Sequence, residues 1–260
     1  MSISVPKLRD AFHQGRRSYL ICTALLGLLG GYCVLSKTCK PYRHCLKTGI
    51  KVYSILSDND RKARYDSLVH IVGHSHLPDY FTKILPALAI VESDLNPCAT
   101  SNVGAAGLWQ LMPATAREYG LIIDTTTDQR YDLTASTYAA IQHINTIMMR
   151  IHSSPAYSTL TSYLDCQKIT WNTESLLYPL VIIAYHAGER HVTNMIKKYP
   201  EFLYTYPTID PGETCEIFLT GMIQRYATTP GAQQGFHKKF GPASAHYYKK
   251  VTTVAAYLDH

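Results

Sequence analysis

No two of the seven cysteines, at positions 22, 33, 39, 45, 98, 166 and 215, stand in a C-x-x-C spacing. That absence excludes a zinc ribbon and a thioredoxin-like redox motif. Nor do basic residues cluster. The formal net charge is +6, but Lys and Arg are scattered, which argues against a nucleic-acid interface. A mildly basic chain instead suits an anionic polymer or an anionic membrane surface. His74 and His76 form an H-x-H, which is too little for a metal site, so neither metal nor cofactor is expected. Sustained period-2 alternation is missing, which speaks against a sheet, and no internal repeat or low-complexity stretch is present. Charged residues make up only 17% of the chain and hydrophobic ones 46%, enough for a real core in one domain with extensions. Tyrosine is abundant, with 20 copies. Its ring stacks and its hydroxyl bonds, which suits surfaces that bind sugars or peptides.

The first 17 residues are basic, with Lys7, Arg9, Arg16 and Arg17. An uncharged apolar run from Tyr19 to Leu35 follows. It meets the lower end of the roughly 17–25 residues a spanning helix needs, and the basic residues before it favour a cytoplasmic N-terminus. Residues 18–36 therefore read as a signal anchor, with Val34-Leu35-Ser36 leaving a cleaved signal peptide as the alternative. Either way the remainder is exported. Cys22 and Cys33 lie in this apolar run and the other five cysteines outside it. In an oxidising compartment one or two disulfides are compatible with them, without a defined pairing.

Residues 37–75 read as an exported linker with a helix from Arg61 to Val72. Pro78 suits the first turn of the next helix, and the pattern from there to about residue 200 is helical. Ala140, Ile144, Ile147 and Ile151 share one stripe, and Gly188 is a helix stop. Pro207 to His237 opens and closes as loop, with room for a short helix between, and a last helix runs from Ala243 to Leu258. The fold expected is mainly α.

Within "YFTKILPALAIVESDL" the residues Phe81, Leu85, Leu88 and Glu92 fall on one helical face, so Glu92 continues the apolar stripe. Pro86 either kinks this helix or marks its start. A carboxyl among apolar neighbours resists ionisation, and its pKa rises. That is the state a general acid needs near neutral pH. The loop that follows contains Asn96-Pro97, Gly104, Gly107, Trp109 and Gln110. Its glycines permit close backbone approach, Trp109 offers a flat apolar surface, and Gln110 supplies a donor and an acceptor. A raised carboxyl beside such a loop fits a glycosidase cleft.

These residues, together with Ser93, Ala99, Ser101, Ala105, Leu108, Met112-Pro113, Thr115-Ala116 and Tyr119-Gly120-Leu121, resemble the signature of the lytic transglycosylases with an SLT, goose-lysozyme-like domain. Within that family they resemble the membrane-bound murein transglycosylase D type. Two further blocks agree in order: Asp128-Gln129-Arg130-Tyr131-Asp132 with Ser136-Thr137 and Ala139-Ala140, and Ala184-Tyr185-His186-Ala187-Gly188-Glu189. The resemblance covers residues 76–225 and leaves 226–260 as a C-terminal loop and helix. It implies a lysozyme-like helical domain with a catalytic cleft at the bacterial cell envelope, acting on peptidoglycan glycan strands.

By the same resemblance, Glu92 is the sole catalytic acid/base. It protonates the bond between N-acetylmuramic acid and N-acetylglucosamine, then deprotonates the muramyl 6-hydroxyl, giving a 1,6-anhydro end without consuming water. The sugar supplies its own nucleophile, so the usual pair of carboxylates is unnecessary. Asp94 points to another face, and Asp128 and Asp132 read as capping residues. Ser101, Gly107, Gln110, Met112, Tyr185 and His186 are the implied substrate-binding set, Tyr185 as the tyrosine near the catalytic carboxyl. A core role for Met112 fits its residue type equally.

Two departures stand out. His186 occupies the place of the usual Asn, and its protonation would lower the pKa of Glu92 and reduce activity in acid. The family's E-T-x-x-Y-V block has two partial matches, Glu213-Thr214 with Ile217 and the later His246-Tyr247-Tyr248, and the sequence does not choose between them. A hydrolase on the same fold and a catalytically inactive glycan-binding scaffold are the rival readings.

Overall fold

The first six of the described helices each begin where a short polar side chain or a proline is placed to start them. In the computed structural model, which describes residues 51–205, 215–228 and 242–258, α1 runs Asn59–Gly73 and is capped by the Asp58 carboxylate on the Arg61 amide. Pro78 precedes α2, Asp79–Ser93, and Pro113 opens the short α3, Pro113–Glu118. Asp132 caps α4, Leu133–His152, and Ser154 caps α5, Pro155–Cys166. Asn172 and Ser175 form a reciprocal capping box on α6, Thr173–Ala187. The Asp, Ser and Asn side chains supply the acceptor that the first helical amides lack, and the prolines are shaped for a first turn. Three more helices follow, α7 over Glu189–Thr205, α8 over Cys215–Thr228 and α9 over Pro242–Leu258.

No strand occurs among the described residues, only isolated bridges within the loops after α2 and α3. The mainly α expectation is met. Pro86 sits inside α2, which begins seven residues earlier at Asp79 and holds together because Ile84 to Ile90 are all buried. The α4 stripe Ala140, Ile144, Ile147 and Ile151 is at most 1% exposed, as its spacing predicts. Gly188 ends α6 at φ 91°, and its amide bonds the Ala184 carbonyl at 2.7 Å.

The described residues belong to one compact unit, Gly49–Asp259. The helix α6 packs on α4, α7, α8 and α9, while α1 and α9 pack against α2. Residues 51–73, read from sequence as linker, join this core through buried Val52, Ile55, Leu68 and Val72. The loop-then-helix reading of Pro207–His237 is realised in its middle as α8; residues 206–214 and 229–241 lie outside the described residues, as do the basic segment 1–17 and the apolar segment 18–36. Among the described residues no helix is long and apolar enough to cross a membrane. Cys98 and Cys166 are exposed, Cys215 is buried, and all three are free thiols.

Candidate active site

Glu92 is the penultimate residue of α2, and the chain reverses directly after it. Asp94 takes a left-handed conformation, φ 54° and ψ 35°, and Leu95 follows at φ 60°. Left-handed backbone costs a residue with a Cβ about 1–2 kcal/mol. The reversal is held by the Asp94 amide on the Ile90 carbonyl at 3.0 Å and by a Leu95 side chain that is wholly buried. Asp94 itself turns away to an ion pair with Lys51 at 2.6 Å.

The loop from Asn96 to Met112 folds back over the end of α2. Ser93 Oγ donates to the Leu108 carbonyl at 2.8 Å, tying helix to loop. Ser101 Oγ accepts the Ala105 amide at 3.0 Å and closes a tight turn. Gln110, at φ 48°, gives its side-chain amide to the Ala99 and Gly107 carbonyls at 3.1 and 2.9 Å. Its donors therefore brace the loop. Trp109 is fully buried with Nε1 on Thr137 Oγ1 at 3.0 Å, so its ring is core. Gly107 makes its close approach to protein: a Cβ there would fall 1.8 Å from the Arg130 carbonyl oxygen. Arg130 in turn pairs with Asp128 at 2.7 Å and donates to the Gly104 and Leu111 carbonyls at 2.7 and 3.1 Å. Asp128 and Asp132 thus have the structural roles their positions predict. Met112 is 41% exposed, which removes the core alternative.

The other wall comes from α6 and α9. Tyr185 donates its hydroxyl to the Trp109 carbonyl at 2.8 Å. The hydroxyl that donates to Glu92 Oε1 belongs instead to Tyr247 on α9. This is the tyrosine that the second of the two partial C-terminal matches contains, and it was not among the site residues expected. Tyr247 is buried, and its ring lies flat on that of His186, centroids 4.3 Å apart and planes at 15°. Behind Tyr185, the His143 ring stands 5.4 Å away and bonds the Tyr119 hydroxyl at 3.2 Å.

Burial raises the Glu92 pKa above the ordinary carboxylate value, and it outweighs the Tyr247 hydrogen bond and the Lys250 charge, both of which lower it. Burial likewise pushes Tyr247 and Tyr185 well above the ordinary phenol value, and the Glu92 charge adds to both. His186 is exposed as a residue, yet crowding around its ring lowers its pKa, with Lys250 the smaller cause. Desolvation brings His143 down to about 4. The arrangement is a carboxyl whose protonated form is favoured by burial, with a hydroxyl and a cation that favour its charged form.

Comparison with known proteins agrees with the motifs. Residues 79–205 match the family model described as the Transglycosylase SLT domain. Over 113 residues the chain is 51% identical to the membrane-bound lytic murein transglycosylase D of Escherichia coli K12, and equally to that of Escherichia coli O6:H1 strain CFT073. Each match covers 44% of this chain and 20% of the relative, so the chain spans about a fifth of the length of these curated relatives. The resemblance read from the three motif blocks is borne out by these matches, which fall within the helical unit. Tyr247 and Lys250 lie beyond the matched residues, as does the segment 51–73.

Proposed function

We propose that this chain, whose residues 79–205 carry a transglycosylase SLT domain, is a peptidoglycan lytic transglycosylase with Glu92 as its single acid/base. The observation that carries this reading is the environment of Glu92: a partly exposed residue whose carboxyl is desolvated, raised in pKa and bonded by a tyrosine. Its neighbour Asp94 turns to Lys51, which leaves it out of place as the second carboxylate of a two-acid glycosidase.

Two steps follow from the environment. Neutral Glu92 protonates the glycosidic oxygen between N-acetylmuramic acid and N-acetylglucosamine, and the sugar departs. The carboxylate that remains is stabilised by the Tyr247 hydroxyl and the Lys250 charge, the same two groups that lower its pKa. It then takes the proton from the muramyl 6-hydroxyl as that oxygen closes on the anomeric carbon. The proton lost in the first step is regained in the second, and the product ends in a 1,6-anhydro ring. Ser101, Gln110, Met112 and His186 line the sugar path on this reading, while Gly107 and Tyr185 shape its wall. The relatives' names include "membrane-bound", which supports a cell-envelope location with the apolar segment 18–36 as anchor or signal.

The test is mass spectrometry of the products released from purified peptidoglycan. Muropeptides one water lighter than hydrolysis products are expected, and ordinary reducing ends would replace this reading with a hydrolase. Glu92→Gln is expected to cut release by on the order of a thousandfold while glycan binding persists. Binding by the parent chain with no release of any product would leave a scaffold.

A further inference from the structure

Arg64 lies on α1, outside the residues that match the family domain. Its Nε donates to the Leu95 carbonyl at 2.8 Å across 31 residues of sequence. Lys51, also upstream, pairs with Asp94. These two cations therefore grip consecutive residues, both in left-handed backbone, that begin two residues after Glu92. Neither position is glycine, so the conformation persists only because its surroundings over-determine it. The Asn96 amide on the Ser93 carbonyl at 3.0 Å shows the same reversal tightening the end of α2. Of the two cations, Lys51 is half in solvent, and an exposed pair contributes little. Arg64 makes a partly buried, charge-assisted bond to a carbonyl, which is the stronger kind.

We propose that Arg64 is a positioning residue for the reaction: through the Leu95 carbonyl it holds the left-handed turn that fixes Glu92 against Tyr247 and the sugar, so that the segment before the SLT domain is part of the catalytic unit. The inference rests on the function proposed above. In the full chain in detergent, Arg64→Met keeps the aliphatic stem and removes the donor. The expected result is a roughly ten- to a hundredfold loss of kcat with KM changed by less than about threefold, because misplacing a catalytic group acts on the transition state. Carbon-13 NMR of the Glu92 carboxyl is expected to show its titration moving back toward the ordinary carboxylate value as burial loosens. Arg64→Lys, which can still reach one carbonyl, is expected to keep most of the rate. Adding Asp94→Gly to Arg64→Met is expected to restore part of it, since glycine takes a positive φ without a clamp. Parent-like kcat and titration in Arg64→Met would overturn the proposal. So would a loss that tracks a collapsed melting curve and is not rescued by Asp94→Gly, which would make Arg64 merely structural. The NMR reading does not depend on cleavage. If the parent releases no anhydro product, the proposed function fails while the titration still decides whether Arg64 positions Glu92.

Discussion

The loop Asn96–Met112 and the helix α9 both close on the end of α2 that carries Glu92, and they reach it differently. The loop is shaped mostly by its own bonds, Ser101 to Ala105 and Gln110 to Gly107, with Ser93 and Arg130 tying it down. The helix arrives from 155 residues away and offers one hydroxyl. The loop gives the site its shape, while α9 gives the acid its partner. Damage to the first should therefore appear as lost stability, and damage to the second as lost rate at nearly constant stability.

The largest expected effect tests the loop. Gly107→Ala places a methyl 1.8 Å from the Arg130 carbonyl oxygen, at φ 80°. Arg130 cannot yield without leaving Asp128, Gly104 and Leu111. A loss of about 3–5 kcal/mol is expected, seen as a fall in Tm of roughly 10 °C. A stable, inactive Gly107→Ala would erase the contrast between the two regions.

Tyr247→Phe tests the other side. A hydrogen bond to a charged group contributes about 1.5–3 kcal/mol, so kcat is expected to fall roughly ten- to a hundredfold while Tm moves by only a few degrees. The bond lowers the Glu92 pKa, so its removal lifts that pKa further, and the limb of the pH–rate profile governed by Glu92 should shift to higher pH.

How legible was this arrangement in the sequence? The loop was legible because its constraints are local. Glycines, a tryptophan and a glutamine at fixed spacing declare a turn, and Glu92 on an apolar stripe declares a buried acid. Even so, the reasons differed in detail. Trp109 and Gln110 serve the loop's own packing, and Gly107 makes room for Arg130. Tyr247 was one of two candidates and could not be chosen, because a contact across 155 residues depends on how α9 packs against α2. The helix from Arg61 to Val72 was legible, but the bonds of Lys51 and Arg64 to Asp94 and Leu95 were not, because they join residues far apart in the chain.

Two smaller effects sharpen the picture beneath and beside the acid. His143 has a folded pKa of about 4 against an ordinary 6.5. Between those values the unfolded chain binds the extra proton, so stability is complete above about pH 6.5 and declines as pH falls toward 4. His143→Gln should flatten the dependence of Tm on pH across that window, measured by thermal melts. His186→Asn should extend activity on the acid side, because protonated His186 would set a cation against Glu92 and draw out its proton. Crowding and Lys250 hold the His186 pKa below its ordinary value, so the difference is expected to be only about twofold near pH 5.

The distance between Glu92 and Tyr247 along the chain also bears on when the site comes into being. A polypeptide is made from its N-terminus, and its segments fold in that order. The stripe that buries Glu92 and the loop that covers it are complete long before α9 has been synthesised. Until that helix docks on α2, the acid lacks both the phenol that takes up its charge and part of the packing that keeps it dry. On the function proposed here, a newly made molecule would gain its power to cut only once α9 had been made and had docked.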